Sequence, residues 1–217
     1  MKVRFRYFDT KSGNLPFALY VPQGQPPALG WPLVLFLHGS GERGQDGKKQ
    51  AAVGIGPAIR ENPQDWPAIV LMPQCPEGLS WGGTVLEAVY ALLNEVQSEA
   101  RADSRRIYLT GLSMGGHGAW NMAIRYPDKF AALAPVCGAA DPFAVMFSLS
   151  GMPVWNFHGD ADSVVPVEFS RVLEMALERT GNENIHFTEY KGVDHNSWDK
   201  AYREQEFIKW LFAQKKQ

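Results

Sequence analysis

Cysteine is scarce: Cys75 and Cys137 are the only two among 217 residues, so at most one disulfide can form, and no metal-type spacing surrounds either. Both thiols are expected to be small, buried or half-buried groups. Basic charge is not in excess. The 21 Lys and Arg stand against 23 Asp and Glu, a formal net charge of −2, and no dense basic run is present to track a phosphate backbone, so no nucleic-acid partner is expected. Long apolar runs are also missing. The longest, such as Leu33 to Leu37, are far too short to cross a bilayer, and the opening MKVRFRYFDT lacks the apolar segment of a secretory signal. The expectation is a soluble, cytoplasmic protein with no membrane partner. There is no internal repeat and no low-complexity segment. What is present, 45% hydrophobic and 20% charged residues, is the balance of an ordinary globular chain whose length suits a single domain over residues 1–217.

The first residues alternate, Val3, Phe5 and Tyr7 against Arg4 and Arg6, and a break at Lys11-Ser12-Gly13-Asn14 leads into Pro16 to Val21. That pattern predicts an antiparallel hairpin. After the Pro/Gly-rich stretch 22–32 come short continuous apolar runs at 33–37, 68–72, 107–110, 132–136 and 154–157. Strands buried on both faces have this character. Helical patterns lie between them. Thr84 and Glu87 fit a capping box ahead of Leu86, Val89, Leu93 and Val96, which fall on one face. A second helix, roughly Val167 to Thr180, is expected to bury Phe169, Val172, Leu173, Ala176 and Leu177 and to stop at Gly181. A last one after Asp199 carries Phe207, Ile208 and Leu211. Strands alternating with helices predict an α/β fold: a mostly parallel central sheet, the antiparallel hairpin at one edge, and helices on both faces. In such sheets reactive groups gather beyond the carboxyl ends of the strands.

Gly111-Leu112-Ser113-Met114-Gly115 fits G-x-S-x-G. The pattern alone would arise in roughly one unrelated chain in fifteen from average glycine and serine usage. Its context is what gives it weight, because a buried strand, IYLT, precedes it and a helical stretch, Gly116 to Arg125, follows. A strand-to-helix turn this tight strains its central residue, holds the hydroxyl out at the strand end, and sets the Met114 N–H at a helix N-terminus where an anion is favoured.

A serine hydroxyl needs a neighbouring base. His38 and His158 each precede a glycine at a strand end, and His186 alternates within a strand, so all three are structural by default. His117 lies four residues past the serine on the same helix, whereas a base should arrive from another loop. His195, in the loop 192–198 before the last helix, is the best candidate. The acid should lie between nucleophile and base in the chain. Asp160 and Asp162 both follow the strand PVWNF and the residues leave both open, with the spacing to Pro166 favouring Asp162. For an oxyanion, the glycine-softened loop Leu37-His38-Gly39-Ser40-Gly41 offers the Ser40 N–H as partner to that of Met114. Trp81 and Trp198 are candidate pocket walls, with an ordinary core role weighed equally for each. The chemistry calls for no cofactor and no metal.

Together LHGSGERG at 37–44, PQCPEGLSW at 73–81, GLSMGG at 111–116, HGDADSVVP at 158–166 and VDHNSWDKAY at 193–202 resemble the compact phospholipase/carboxylesterase-like branch of the α/β hydrolases, near the dienelactone hydrolases. The resemblance implies the α/β-hydrolase fold. It maps the nucleophile to Ser113, the acid to Asp162, the base to His195 and the oxyanion donors to Ser40 and Met114. Serine stands where dienelactone hydrolases usually carry cysteine, and Gly138-Ala139-Ala140 lacks a glycine run expected there. The implied activity is hydrolysis of a small-molecule carboxylic ester through an acyl-enzyme. A peptidase or amidase with the same triad, and a hydrolase-like protein that binds without turnover, are the alternatives. The stretch 138–152 is too short for a helical lid, which predicts an open site and a preference for short acyl esters.

Overall fold

Val-, Leu- and Ile-rich runs of five or six residues have too few polar groups to face water, and they assemble into the middle of a sheet. In the computed structural model, which describes residues 5–8 and 15–216, the strands are β1 (Phe5–Phe8), β2 (Phe17–Tyr20), β3 (Leu33–Leu37), β4 (Ile69–Pro73), β5 (Ile107–Leu112), β6 (Ala132–Val136), β7 (Val154–Gly159) and β8 (Ile185–Tyr190). They form one sheet in the order β1-β2-β4-β3-β5-β6-β7-β8. The edge pair is antiparallel, Phe5 opposite Tyr20, and β2 runs antiparallel to β4, Ala18 opposite Met72. All pairs from β4 to β8 are parallel. The hairpin is thus where the sequence puts it, while its expected turn at 11–14 and residues Val3 and Arg4 lie outside the described residues.

The helices are α1 (Ile55–Glu61), α2 (Gly83–Glu99), α3 (Met114–Arg125), α4 (Pro142–Ser148), α5 (Glu168–Glu178), α6 (Trp198–Ala201) and α7 (Gln205–Ala213). Strand alternation divides the core into two layers. Leu33, Leu35 and Leu37 of β3 pack with Leu86, Leu93 and Trp120 of α2 and α3 on one face. Val34 and Phe36 pack with Ile55 of α1 and Phe207 and Leu211 of α7 on the other. Each such side chain, wholly removed from water, contributes about 1.5–3 kcal/mol. No described helix is long and apolar enough to cross a membrane.

Two local expectations are corrected. Helix α2 begins at Gly83 behind an extended Gly82 and has no side-chain cap. Glycines at 82 and 83, the latter at φ +48, let the chain turn into the helix before Thr84, and Glu87 pairs with Arg125 of α3 instead of reaching back. In α5 the buried side chains are Ser170, Leu173, Ala176 and Leu177, while Phe169 and Val172 stay about half exposed. Val172 and Met175 share a groove with Phe143 and Met146 of α4, and Phe169 is exposed on the same helix. The six parallel strands β4, β3, β5, β6, β7 and β8 all point the same way, so the loops after them lie along one side of the sheet.

Candidate active site

A turn of a single residue joins β5 to α3. Ser113 alone separates them, at φ +53 and ψ −118, a region where a non-glycine residue costs on the order of 1–3 kcal/mol. The turn can be this tight because the residues two positions to either side, Gly111 and Gly115, have no side chains. A Cβ on Gly111 would stand 2.2 Å from the Gly115 carbonyl oxygen, and one on Gly115 would stand 1.9 Å from that of Leu37. The Ser113 N–H donates to Val136 O at 3.0 Å, fastening the turn to β6.

His195 arrives from the loop after β8, with Nε2 2.8 Å from Ser113 Oγ. Its Nδ1 lies 2.8 and 3.0 Å from the two carboxylate oxygens of Asp162. A carboxylate only accepts, so Nδ1 carries the proton and Nε2 keeps its lone pair toward the serine hydroxyl. The Asp162 side chain is buried. Burial acts to raise its pKa, but the hydrogen bond with His195 and the Val165 and Val164 N–H groups outweigh it and hold the carboxyl below its ordinary value. Those N–H groups meet Oδ1 at 2.8 and 2.9 Å.

Asp160 takes a different task, accepting the Gly192 N–H at 2.5 Å and so tying the β7 loop to the β8 loop. The two loops touch at Gly159, where a Cβ would stand 2.1 Å from Val193 O. Asp194 adds a third tie, its Oδ1 accepting from Ser163 N, Ser163 Oγ and His195 N. Of the two aspartates left open by the residues, the fold therefore brings Asp162 to His195. His117 turns away, its Nδ1 2.9 Å from Ser113 O, and His186 packs against Trp155 and Trp210.

The loop after β3 closes the site. Gly39 is beside the serine: a Cβ there would lie 3.7 Å from Ser113 Cβ. Ser40 opens a 3-10 turn, Ser40–Glu42, and Met114 opens α3, so helix geometry supplies no carbonyl for either N–H. His38, wholly buried, anchors this loop by donating from Nδ1 to Gly39 O at 2.6 Å and accepting the Cys75 N–H on Nε2 at 2.9 Å. Burial pushes its pKa down to about 4, against a smaller opposing effect of the Gly39 hydrogen bond. Of the two roles weighed for Trp81, pocket wall and core, its place is the buried one. It is 2% exposed and sits edge-on to His38, and its indole N–H donates to His38 O at 2.9 Å, because the space beside Gly118 draws it under the loop. Trp198 is half-buried and stands edge-on to His195, 5.3 Å between ring centres.

Sequence reasoning gave Cys137 no place in the site. It follows β6 at φ +43, with Sγ within 4.8 Å of a carboxylate oxygen of Asp162 and a ring nitrogen of His195. Burial pushes the thiol up to about 12, which keeps it protonated behind Asp162 and His195. A positive-φ residue after a buried strand gives no signal in sequence. Cys75 is also buried and unbridged, as both thiols were expected to be.

A strained serine at a strand-to-helix elbow, met by a histidine and an aspartate from later strand ends, defines an α/β hydrolase. Residues 84–211 match the family model described as Phospholipase/Carboxylesterase, and the chain belongs to that family as a carboxylesterase-type hydrolase. It is similar to the poly(3-hydroxyoctanoate) depolymerase of Pseudomonas fluorescens, 29% identical over 196 residues that make up 76% of this chain and 70% of that protein. A bifunctional acetylxylan esterase/xylanase of Neocallimastix patriciarum is 27% identical over 158 residues, 68% of this chain and 21% of that protein. The crystal structure of a thermostable esterase superimposes with a TM-score of 0.84 at 35% identity, covering 99% of this chain and 64% of that one. The chain thus spans under two thirds of the length of some of its relatives.

Proposed function

We propose that the protein is a serine carboxylesterase for small esters of short acyl groups, with Ser113 as nucleophile, His195 as general base and Asp162 as the group that orients and stabilises it. The observation that carries this reading is the continuous hydrogen-bonded line from Ser113 Oγ through His195 to Asp162, at 2.8 Å on each side of the imidazole. His195 Nε2 takes the serine proton as Oγ attacks the ester carbonyl, and the imidazolium that forms is stabilised by the Asp162 charge. The Ser40 and Met114 N–H groups stabilise the oxyanion. His195 then returns the proton to the departing alcohol, and the same base activates water to release the acid.

Short acyl groups are favoured by the seven-residue α4, the whole of the helical structure between β6 and β7, which is too small to bury a long chain. Each further methylene left in water forgoes about 0.8 kcal/mol. The acetyl ester cleaved by one relative, by its name, agrees with this. The test is labelling with a fluorophosphonate probe. The wild-type chain should be labelled and should hydrolyse p-nitrophenyl acetate, and Ser113→Ala should lose the label and at least ~10³-fold of turnover while staying folded. An unlabelled wild type, or a Ser113→Ala variant as active as its parent, overturns the assignment. Greater turnover of aminoacyl amides than of esters would make it a peptidase or amidase instead.

A further inference from the structure

His158 is the penultimate residue of β7, its ring wholly buried, one side facing α5 and the other facing Asp162. Nδ1 lies 2.7 Å from Ser170 Oγ. Nε2 lies 2.8 Å from Val165 O and 3.2 Å from Asp162 Oδ2. A carbonyl and a carboxylate can only accept, so Nε2 carries a proton shared between them. Burial holds His158 below its ordinary pKa, so the ring is neutral and Nδ1 has a lone pair. The hydroxyl of Ser170, itself buried, is then the donor to Nδ1. Asp162 consequently has both oxygens fixed: Oδ1 by the Val164 and Val165 N–H groups, Oδ2 by His158.

We infer that His158 and Ser170 are positioning residues for the reaction, Ser170 holding His158 in the neutral Nε2–H tautomer that steers Asp162 onto His195. This rests on the proposed reading of Ser113, His195 and Asp162. A neutral ring suits the task, because an imidazolium 3.2 Å from Asp162 would neutralise the charge that stabilises His195 as it takes the serine proton. The other ionisable groups acting on His158 are His195 from the β8 loop and Glu189 from β8, and neither replaces the Ser170 donor.

The experiment compares kcat and KM for p-nitrophenyl acetate in Ser170→Ala, His158→Leu and His158→Gln. His158→Leu should lower kcat by about 10-fold or more with KM within about twofold, since a hydrogen bond to a charged group is lost. His158→Gln should recover activity to within about threefold of wild type, because its amide N–H stands near the place of Nε2–H. Ser170→Ala should cost several-fold in kcat, and the deficit should grow as pH falls from 8 to 6, since Nδ1 freed of its donor can take up a proton. In the His158→Gln background Ser170→Ala should add no pH-dependent deficit. The inference is overturned if Leu and Gln at 158 are equally impaired, or if the Ser170→Ala deficit is the same at both pH values. If a variant at 158 does not fold, the Ser170→Ala profile alone decides. Fluorophosphonate labelling of the wild type separates the two levels: a labelled wild type with indifferent variants sinks only this inference, and an unlabelled wild type sinks the reading beneath it.

Discussion

Lowering the pH from 7 to 5 should destabilise the fold through His38 well before it harms any carboxylate. In the unfolded chain His38 takes up a proton near its ordinary value of 6.5, but the folded chain does not accept one until about 4. Between those values the unfolded state binds more protons, so stability is full above about pH 7 and falls as pH falls. Integrated from pH 7 to 5, the loss is about 2 kcal/mol for this one ring. The depressed value of His158 acts in the same direction, so the wild-type slope alone does not isolate His38. The control is His38→Gln, whose amide oxygen can still accept the Cys75 N–H but does not titrate. Urea unfolding followed by tryptophan fluorescence at both pH values should show wild type losing about 2 kcal/mol more than the variant. In thermal melts that is a Tm change larger by roughly 4–8 °C. Equal losses in the two proteins would refute the assignment of a buried, neutral His38.

Asp162→Asn should lower kcat/KM by about 10⁴-fold by favouring the wrong imidazole tautomer, whereas Asp160→Asn, which loosens only the tie to Gly192, should cost less than about 10-fold; kinetics on both variants decide it. Across p-nitrophenyl esters kcat/KM should peak between acetate and butyrate, and a maximum at dodecanoate would mean that the site has a cover. Gly115→Ala should fail to fold or lose the elbow, since its Cβ would meet Leu37 O at 1.9 Å, and circular dichroism with activity reports it. On α5, Leu173→Ala should cost about 2–5 kcal/mol in urea unfolding and Val172→Ser under about 0.5, the reverse order contradicting the observed helix face.

The central strands were legible because β3 to β6 are buried on both faces and read as unbroken apolar runs. The meeting of Ser113 and His195 was legible because chemistry limits which residue types and strand ends can form such a pair. Between Asp160 and Asp162 the residues only leaned to Asp162 and the family resemblance pointed the same way, because two carboxylates two residues apart on one loop differ only in which neighbour each meets. The outward face of α5 was misread for a related reason: Phe169 and Val172 fit the same helical period as Leu173 and Leu177, and only the neighbouring strands determine which stripe is covered. Helices α1 and α4 went unread, each being seven residues long with glycine or proline in its first turns. Trp81 carries no periodic signal; its place follows from the missing side chain at Gly118.

The separation of the reacting groups along the chain has a consequence in time. Ser113 precedes His195 by 82 residues, and β8 must join the edge of the sheet before the loop bearing the histidine can reach the serine. At roughly 5–20 residues per second, synthesis leaves about 4–16 s between the emergence of one and the other. On the proposed mechanism the growing chain holds, throughout that interval, a serine with no base to take its proton, and the nascent protein is chemically silent until β8 docks. Recovery of ester hydrolysis during refolding is, for the same reason, a clock for the arrival of β8 rather than for collapse of the core.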